Sequence, residues 1–412
     1  MINDLFVSEM KILYIHQYFN IPQGSGCTRS YWVAEQLIRR GHQVTMITAA
    51  RGQKNAKSEM VDGIHVVYVK NRYSNYMSPW RKVLSFVNFV RLATQAAMKV
   101  KEVDMVYATS TPLTVGAIAL FLRRVRGWRY VFEVRDLWPE FPIQIGAVRN
   151  PVLIKMLRWL ERRIYQKAEH IVALSPGMKE GVIKAGTPAE KVSMIPNMSK
   201  PDQFWPREKN EEVAGQFGID TTKFNVIHFG SMGPANGLSY MIEAAKCLKD
   251  RGDDTVRFIF MGSGATEPVI KKQAEQYGLT NVFFIGRQPM VVVSEVVNLC
   301  DASITTFLNL PVLQTNSPNK LFDSLSAGKP IIVNSAGWTK EMVEKNDCGF
   351  FADPEKPSDL ADKLLLYKDD QITLERWGKN ARRLSIEVYD KDILTAQVAE
   401  VIEKSSARLA TD

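Results

Sequence analysis

The chain reads as an α/β protein of two Rossmann-like, doubly wound parallel sheets, and three observations carry that reading. Strand and helix patterns alternate through the first 200 residues, break in a proline-containing stretch, and resume near residue 225. A length of 412 residues exceeds what a single hydrophobic core serves. Glycine clusters at 24–26, 230–233 and 262–264 follow strand patterns, where such sheets bring backbone close to ligands.

Lys11–Tyr18 is an apolar run of strand length, and Thr28–Arg40 has helical spacing that Gly41 stops. Strands follow at Val44–Thr48 and His65–Val69. Pro79–Lys101 is a long helical segment, before strand Met105–Ala108, helix Leu113–Val125 and strand Tyr130–Val134. Pro151–Lys167 is a helix, His170–Leu174 a strand, and Val192–Ile195 a last strand closed by Pro196. The second half repeats the pattern with strands at Asn225–Phe229, Arg257–Met261, Val282–Ile285, Ala302–Thr306 and Pro330–Val333. Helices fall at 238–249 and 267–277, and a terminal helix from about Asp392 to Arg408 has no strand after it. The predicted organisation is a first domain over 1–200, with 1–9 as an extension, and a linker over 201–209. A second domain spans 210–390, and the helix over 391–412 can pack back towards the first. Two such sheets would leave a ligand cleft at their carboxyl ends.

Composition is that of a soluble globular protein, with 45% hydrophobic and 24% charged residues. The four cysteines, Cys27, Cys247, Cys300 and Cys348, form no CxxC pair, which points away from disulfides and zinc and suits a reducing cytoplasm. Asp4 and Glu9 stand where a secretory signal carries basic residues, and no apolar run reaches the roughly 18 residues of a spanning helix. Charge is uneven: residues 1–200 hold 29 Lys and Arg against 14 Asp and Glu, the remainder 24 against 30. The first half therefore calls for an anionic partner. No nucleic-acid-binding motif accompanies the charge. Trp80–Lys101, apolar with Arg81, Lys82 and Arg91, has the character of a helix lying on an anionic membrane, or of a buried helix.

Residues 316–330 carry the densest functional signal. Ser317-Pro318 reads as an N-cap and first helical residue, and Gly328 with Pro330 as the stop. Leu321, Phe322 and Leu325 then share an apolar face, and Asn316, Asn319, Lys320 and Asp323 the opposite one, which holds a ligand or, in the plainer alternative, is the solvated face of an ordinary amphipathic helix. A helix N-terminus with a lysine suits a diphosphate, and Asp323 suits sugar hydroxyls. Gly230-Ser231 and Gly262-Ser263 end neighbouring strand patterns in the same half and would converge with that helix on one sheet edge. In the first half, Glu133, Arg135, Asp136 and Glu140 cluster where a buried strand stops, a place for proton transfer or sugar binding. His16 ends the first strand near the glycine loop. The other histidines read as structural, and no His, Asp or Glu spacing reads as a metal site.

Together these residues resemble the retaining glycosyltransferases of family four, which have the two-Rossmann GT-B architecture. The markers are the Gly24–Gly26 loop, Arg-Gly-His-Gln-Val-Thr at 40–45, Phe229-Gly230-Ser231, Phe284-Ile285-Gly286-Arg287 and the 322–330 stretch. Arg-Asp-Leu-Trp-Pro-Glu at 135–140 is similar to bacterial polysaccharide and O-antigen assembly enzymes, the fucosaminyltransferase type included. There are departures. The family's Arg and Lys after the Asn225–Phe229 strand fall on Ser231 and Asn236, and its paired glutamates on Thr315 and Asp323. Its His-Asp pair is Arg135-Asp136 here.

The resemblance implies transfer of a sugar, with retention and without metal or other cofactor, from a nucleotide diphosphate donor, UDP-linked, to a polyprenyl-diphosphate-linked glycan. The cargo includes N-acetylated amino or deoxy-amino sugars, and the place is the cytoplasmic face of the membrane, with peripheral attachment. Donor contacts are then Gly26, Gly230, Ser231, Gly262, Ser263, Arg287, Asn316, Ser317, Asn319, Lys320 and Asp323. Acceptor contacts are His16, Arg29 and Arg135, and the catalytic groups Asp136, Glu133 and Lys320. A sugar-nucleotide epimerase of the same architecture and a non-catalytic nucleotide-sugar or nucleic-acid binder remain open.

Overall fold

A computed structural model describes residues 9–24, 26, 28–50, 57–73 and 77–407; the extension over 1–8, Ser25 and Cys27 lie outside the described residues. The chain divides into two units. One is Met1–Ile21, Cys27–Pro196 and Asp392–Asp412; the other is Pro22–Gly26 and Asn197–Lys391.

The first unit holds β1 (Lys11–Ile15), β2 (Gln43–Ala49), β3 (Lys57–Val61), β4 (Ile64–Val69), β5 (Met105–Thr109), β6 (Tyr130–Val134), β7 (His170–Ala173) and β8 (Val192–Met194). Their order is β3-β4-β2-β1-β5-β6-β7-β8, parallel except for β3. Alternating exposure in Lys57–Val61 marks a solvated edge, and Asp62-Gly63, both at positive φ, close the hairpin that returns as β4. That strand escapes a search for apolar runs because it buries no face. Helices α1 (Arg29–Arg39), α2 (Pro79–Ala97) and α3 (Thr114–Arg126) cover the sheet, with a fourth at Pro151–Lys167. Phe89, Ala93 and Ala97 of α2 and Ile118 and Leu122 of α3 enter one core with Ile164 and Tyr165. The terminal helix, Lys391–Ala407, is tied in by Glu403, which accepts from Arg40 at 2.7 and 2.8 Å and lies 3.0 Å from His42 Nε2.

The second unit holds β9 (Phe224–Ser231), β10 (Val256–Ser263), β11 (Val282–Ile285), β12 (Ala302–Thr305), β13 (Ile331–Val333) and β14 (Gly349–Phe351). All run parallel, in the order β11-β10-β9-β12-β13-β14. The chain steps from β9 out to β11, then returns to the other side of β9 as β12. That reversal places a crevice at the carboxyl ends of β9 and β12, and the same argument in the first unit selects β1 and β5. Gly262 pairs with Gly230 and Ser263 with Ser231, so the two glycine clusters lie side by side. A β-carbon on Gly262, at φ +137, would sit 1.9 Å from the Gly230 carbonyl oxygen, so only glycine allows the approach.

Candidate active site

The carboxyl edge of the second sheet assembles most of the expected donor residues. Gly230 and Ser231 are exposed at the end of β9, Ser263 is half-buried at the end of β10, and Arg287 is exposed two residues beyond β11. Lys320 arrives from the helix Asn319–Ser326 that precedes β13. A β-carbon on Gly230 would lie 3.9 Å from Lys320 Cε. Lys320 Nζ donates to Nε2 of His228 at 2.8 Å, and His228 is wholly buried on β9. Burial first, and the neighbouring Lys320 charge second, hold the His228 imidazole well below its usual range, hence neutral and able to accept. Burial likewise pushes the Lys320 ammonium down from 10.5 to about 7. Among the described residues no carboxylate pairs with Lys320. A half-buried cation supported only by a neutral ring is short of one negative charge.

His228 is the partner that the sequence reading set aside as packing. Its signal is its place, two residues before the positive-φ Gly230 on the strand where the chain reverses direction across the sheet.

The helix itself differs from expectation. It begins at Asn319 with Pro318 as its cap residue and no side-chain cap. Ser317 is not the N-cap: its hydroxyl accepts from Asn197 N at 3.1 Å and its carbonyl from Asn197 Nδ2. Asn316 is half-buried, its carbonyl accepting from Trp338 Nε1 at 2.6 Å, and Asn319 is half-buried on the first turn. Asp323 is not on a solvated face. Its carboxylate meets Lys200 Nζ at 2.8 Å, with side chains only 6% and 7% exposed, and is committed to that pair. Lys200 is fixed in turn by its backbone N, which donates to Ser326 Oγ at 2.9 Å. The compensating lysine comes from 123 positions earlier, which no local pattern reveals.

In the first unit the expected cluster separates into two. Arg29 and Glu133 are completely enclosed and pair at 2.8 Å, with Tyr107 OH donating to the same carboxylate oxygen at 2.7 Å. The Arg29 guanidinium also donates to the carbonyls of Ile195, at 3.1 Å, and Pro196. Both are therefore architectural: Arg29 holds the strand end at 195–196, and neither side chain reaches an acceptor. Asp136 is half-buried and open to chemistry. Thr111 Oγ1 donates to its Oδ2 at 2.6 Å, and burial raises its pKa against the opposing Thr111 bond and Arg135 charge. His16 is buried at the end of β1 with Ser30 Oγ on its Nδ1, and Arg135 is half-buried, its backbone N donating to Ser110 Oγ at 2.9 Å. Gly26, at φ +118, is exposed and groups with the second unit. Among the described residues no His, Cys, Asp and Glu cluster is placed to hold a metal ion. A groove of about 530 Å³ between β8 and the terminal helix, with Lys404 paired to Glu400 at 3.1 Å, flanks the sheet edge rather than its carboxyl ends.

Two stability measurements check these assignments. Asp323→Ala should destabilise the second unit by about 3–5 kcal/mol in denaturant unfolding, because it strands the Lys200 charge. The Lys200→Met, Asp323→Leu double variant should recover most of that loss. For Lys320, the folded pKa of about 7 lies below the unfolded value of 10.5, so its burial costs most below pH 7 and progressively less between 7 and 10.5. Lys320→Met should therefore stabilise the protein relative to the parent at pH 6, with the difference shrinking towards pH 10. A pH-independent difference would contradict the buried-cation assignment.

Comparison with known proteins agrees with the two-sheet fold. The family model for glycosyl transferases group 1 matches residues 209–384, and that for the glycosyl transferase 4-like domain matches residues 26–198. The probable glycosyltransferase WbjE of Pseudomonas aeruginosa is 23% identical over 282 residues, 67% of this chain and 68% of that protein. Among solved structures, sucrose-phosphate synthase from Thermosynechococcus elongatus superposes with a TM-score of 0.79 at 14% identity, covering 97% of this chain and 100% of that one. HepE of Anabaena in complex with UDP-glucose gives 0.71 at 19% identity, covering 96% and 100%. These structures share the two-sheet fold. With glycosyltransferase models matching both halves and two parallel sheets of this kind, the chain belongs to the family-four type of GT-B glycosyltransferases and is a glycosyl-transferring enzyme.

Proposed function

We propose that this enzyme transfers a sugar, with retention at the anomeric carbon, from a UDP-linked donor to a polyprenyl-diphosphate-linked glycan at an anionic membrane surface. The observation that carries the donor half is Lys320, a half-buried cation without a carboxylate at the carboxyl edge of β9. In the transfer the bond between the anomeric carbon and the diphosphate oxygen breaks, and the diphosphate departs with added negative charge. Lys320, with Arg287 and the uncapped N-terminus of the 319–326 helix, compensates that charge. The acceptor hydroxyl oxygen forms the new bond, and its proton passes to Asp136, whose raised pKa suits a base. The donor is assigned to 210–390 and the acceptor to 1–200. HepE's complex with UDP-glucose supports the uridine diphosphate, and the likeness at 135–140 supports an amino or deoxy-amino sugar.

The membrane half rests on the outer sides of three helices packed in sequence, α2 on α3 and α3 on the 151–167 helix. Trp80 and Val87 of α2, Phe121 of α3, and Val152, Met156 and Trp159 of the third helix are 44–76% exposed. Basic side chains accompany them, Arg81, Arg124, Lys155 and Arg162 among the exposed ones. The three helices carry one carboxylate between them, the buried Glu161. An apolar face rimmed with positive charge suits an anionic leaflet, on the inner face of the cytoplasmic membrane. Among the described residues no helix is long and apolar enough to cross a membrane.

Donor binding is checked by calorimetry with UDP. Bound diphosphate should restore the Lys320 proton, so affinity should fall as pH rises above about 7, with proton uptake in that range. Lys320→Ala should cut turnover by roughly 10²–10³-fold and abolish that pH dependence. Unaltered UDP affinity in Lys320→Ala, with Arg287→Ala crippled, would move the diphosphate elsewhere.

Attachment is checked by co-sedimentation with phosphatidylglycerol vesicles. Binding should be strong at low salt and fall steeply as salt rises, since each basic residue near the leaflet adds about 1 kcal/mol that ions screen. Replacing Arg81, Lys82 and Arg91 with serine should weaken it while leaving UDP affinity intact. Equal binding to phosphatidylcholine vesicles would overturn the electrostatic part.

A further inference from the structure

We infer that a row of aromatic side chains in the first unit, Tyr18, Tyr73, Phe86 and Trp138, is the platform on which a sugar ring of the acceptor lies. This rests on the glycosyl-transfer reading above and names acceptor contacts that the 135–140 motif and the glycine loop do not supply.

The row is continuous. Tyr18 and Tyr73 have ring centroids 5.2 Å apart, Tyr73 and Phe86 stack at 5.7 Å with planes 21° apart, and Phe86 meets the Trp138 edge at 6.4 Å. His16 continues it, 6.3 Å from Tyr18. The rings come from four separate places: the carboxyl end of β1, the segment after β4, helix α2 and the turn after β6. β1 and β6 flank β5, so the row begins and ends beside the crevice where the strand order reverses. All four rings are half-buried, whereas Tyr14, Tyr107, Tyr130 and Phe132 of the same sheet are completely enclosed. The row therefore keeps ring surface for a ligand.

One orphaned polar group says what kind of ligand. Among the described residues Trp138 Nε1, on a half-buried ring of the row, has no acceptor. Some buried donors elsewhere in the unit are satisfied, as when Tyr130 OH donates to the Ile164 carbonyl, while Thr114 Oγ1 and Thr187 Oγ1, neither of them in the aromatic row, also lack partners among the described residues. Burying such a group unpaired costs about 1–3 kcal/mol, which a hydroxyl-bearing ligand removes. A sugar ring has both features required, an apolar C–H face for the aromatic rings and oxygens that accept from the indole N–H. An acyl or prenyl chain has only the first. Asp136, two residues before Trp138, then stands next to the platform with its Thr111-bonded carboxylate. Phe86 shares α2 with the exposed Val83, Leu84 and Val87, so an acceptor anchored by lipid beyond α2 would present its sugar to the row.

Saturation-transfer NMR on the full chain tests this, with methyl glycosides of glucose, galactose, mannose, fucose and N-acetylglucosamine as probes, each with and without UDP. At least one glycoside should show saturation of its ring protons. Phe86→Leu and Trp138→Phe should each weaken it about tenfold, the scale of losing one hydrogen bond or stacking contact, with UDP affinity and melting temperature within error of the parent. Met60→Ser, on the exposed edge strand β3, should leave glycoside binding unchanged. A parent that binds UDP but none of the glycosides overturns the platform, as does a glycoside bound equally by the parent and both variants. Parallel loss of UDP affinity, glycoside affinity and melting temperature makes the row structural and also overturns it. Glycoside bound in the expected way without any UDP binding upholds the platform and overturns the donor reading instead.

Discussion

The Lys200–Asp323 ion pair sets the position of the helix at the carboxyl edge of the second sheet. The helix at 319–326 has eight residues and no side-chain cap, too short to hold its shape alone. It is held on one side by Leu321, Phe322 and Leu325, which enter the core around β13. On the other side it lies along residues 197–200. Asn197 bonds to Ser317, Ser199 Oγ donates to the Phe322 carbonyl at 3.0 Å, and Lys200 reaches both Ser326 and Asp323. Ser199 N also donates to the Tyr389 carbonyl at 2.7 Å, and Lys391 N to the Ser199 carbonyl at 3.1 Å. Residues 197–200 are thus clamped between the 319–326 helix and the residues with which the second unit ends. Lys320 is where it is because Lys200 and Asp323 neutralise each other one turn further along.

Three cations of this chain, the enclosed Arg29 and Lys200 and the half-buried Lys320, differ in their partners. Arg29 has Glu133, and Lys200 has Asp323, each at hydrogen-bonding distance. Among the described residues Lys320 has the neutral ring of His228 and no carboxylate. A buried cation with its carboxylate is complete and contributes position. One without is stabilised fully only when an anion arrives, and its proton affinity falls until then. The same distinction applies to the acids of the first unit. Glu133 is spent on Arg29 and Tyr107, while Asp136 accepts from the Thr111 hydroxyl and is half-buried at the strand end.

Helix α2 does two jobs because its faces differ. Phe89, Ala93 and Ala97 are fully buried against the sheet, Phe86 joins the aromatic row, and Trp80, Val83, Leu84 and Val87 remain outside. A helix of 19 residues that is apolar on more than one face, with no acidic residue, is poorly suited to water on its outer side. That composition is consistent with an amphipathic acceptor and an anionic surface.

Much of the protein was legible from the chain alone. Buried parallel strands are continuous apolar runs, so β1, β2, β5, β6, β9, β10 and β11 stood out, and the 151–167 helix, opened by Pro151, was predicted to the residue. The glycine clusters announced the carboxyl edge because glycine was needed there, most strictly at Gly262. Elements with little apolar periodicity, such as β3 on its solvated edge and the three-residue β14, were not legible. Nor could the sequence decide which charges are paired. Spacing placed Asp323 and Lys320 on one polar helix face, and Glu133 and Asp136 in one cluster. Only the tertiary structure brought Lys200 to Asp323, Arg29 to Glu133 and His228 under Lys320, over separations of 123, 104 and 92 residues. Local sequence determines where backbone bends and what a segment can bury. The pairing of charges depends on which distant segments the sheet order makes neighbours, and that order is a property of the whole chain.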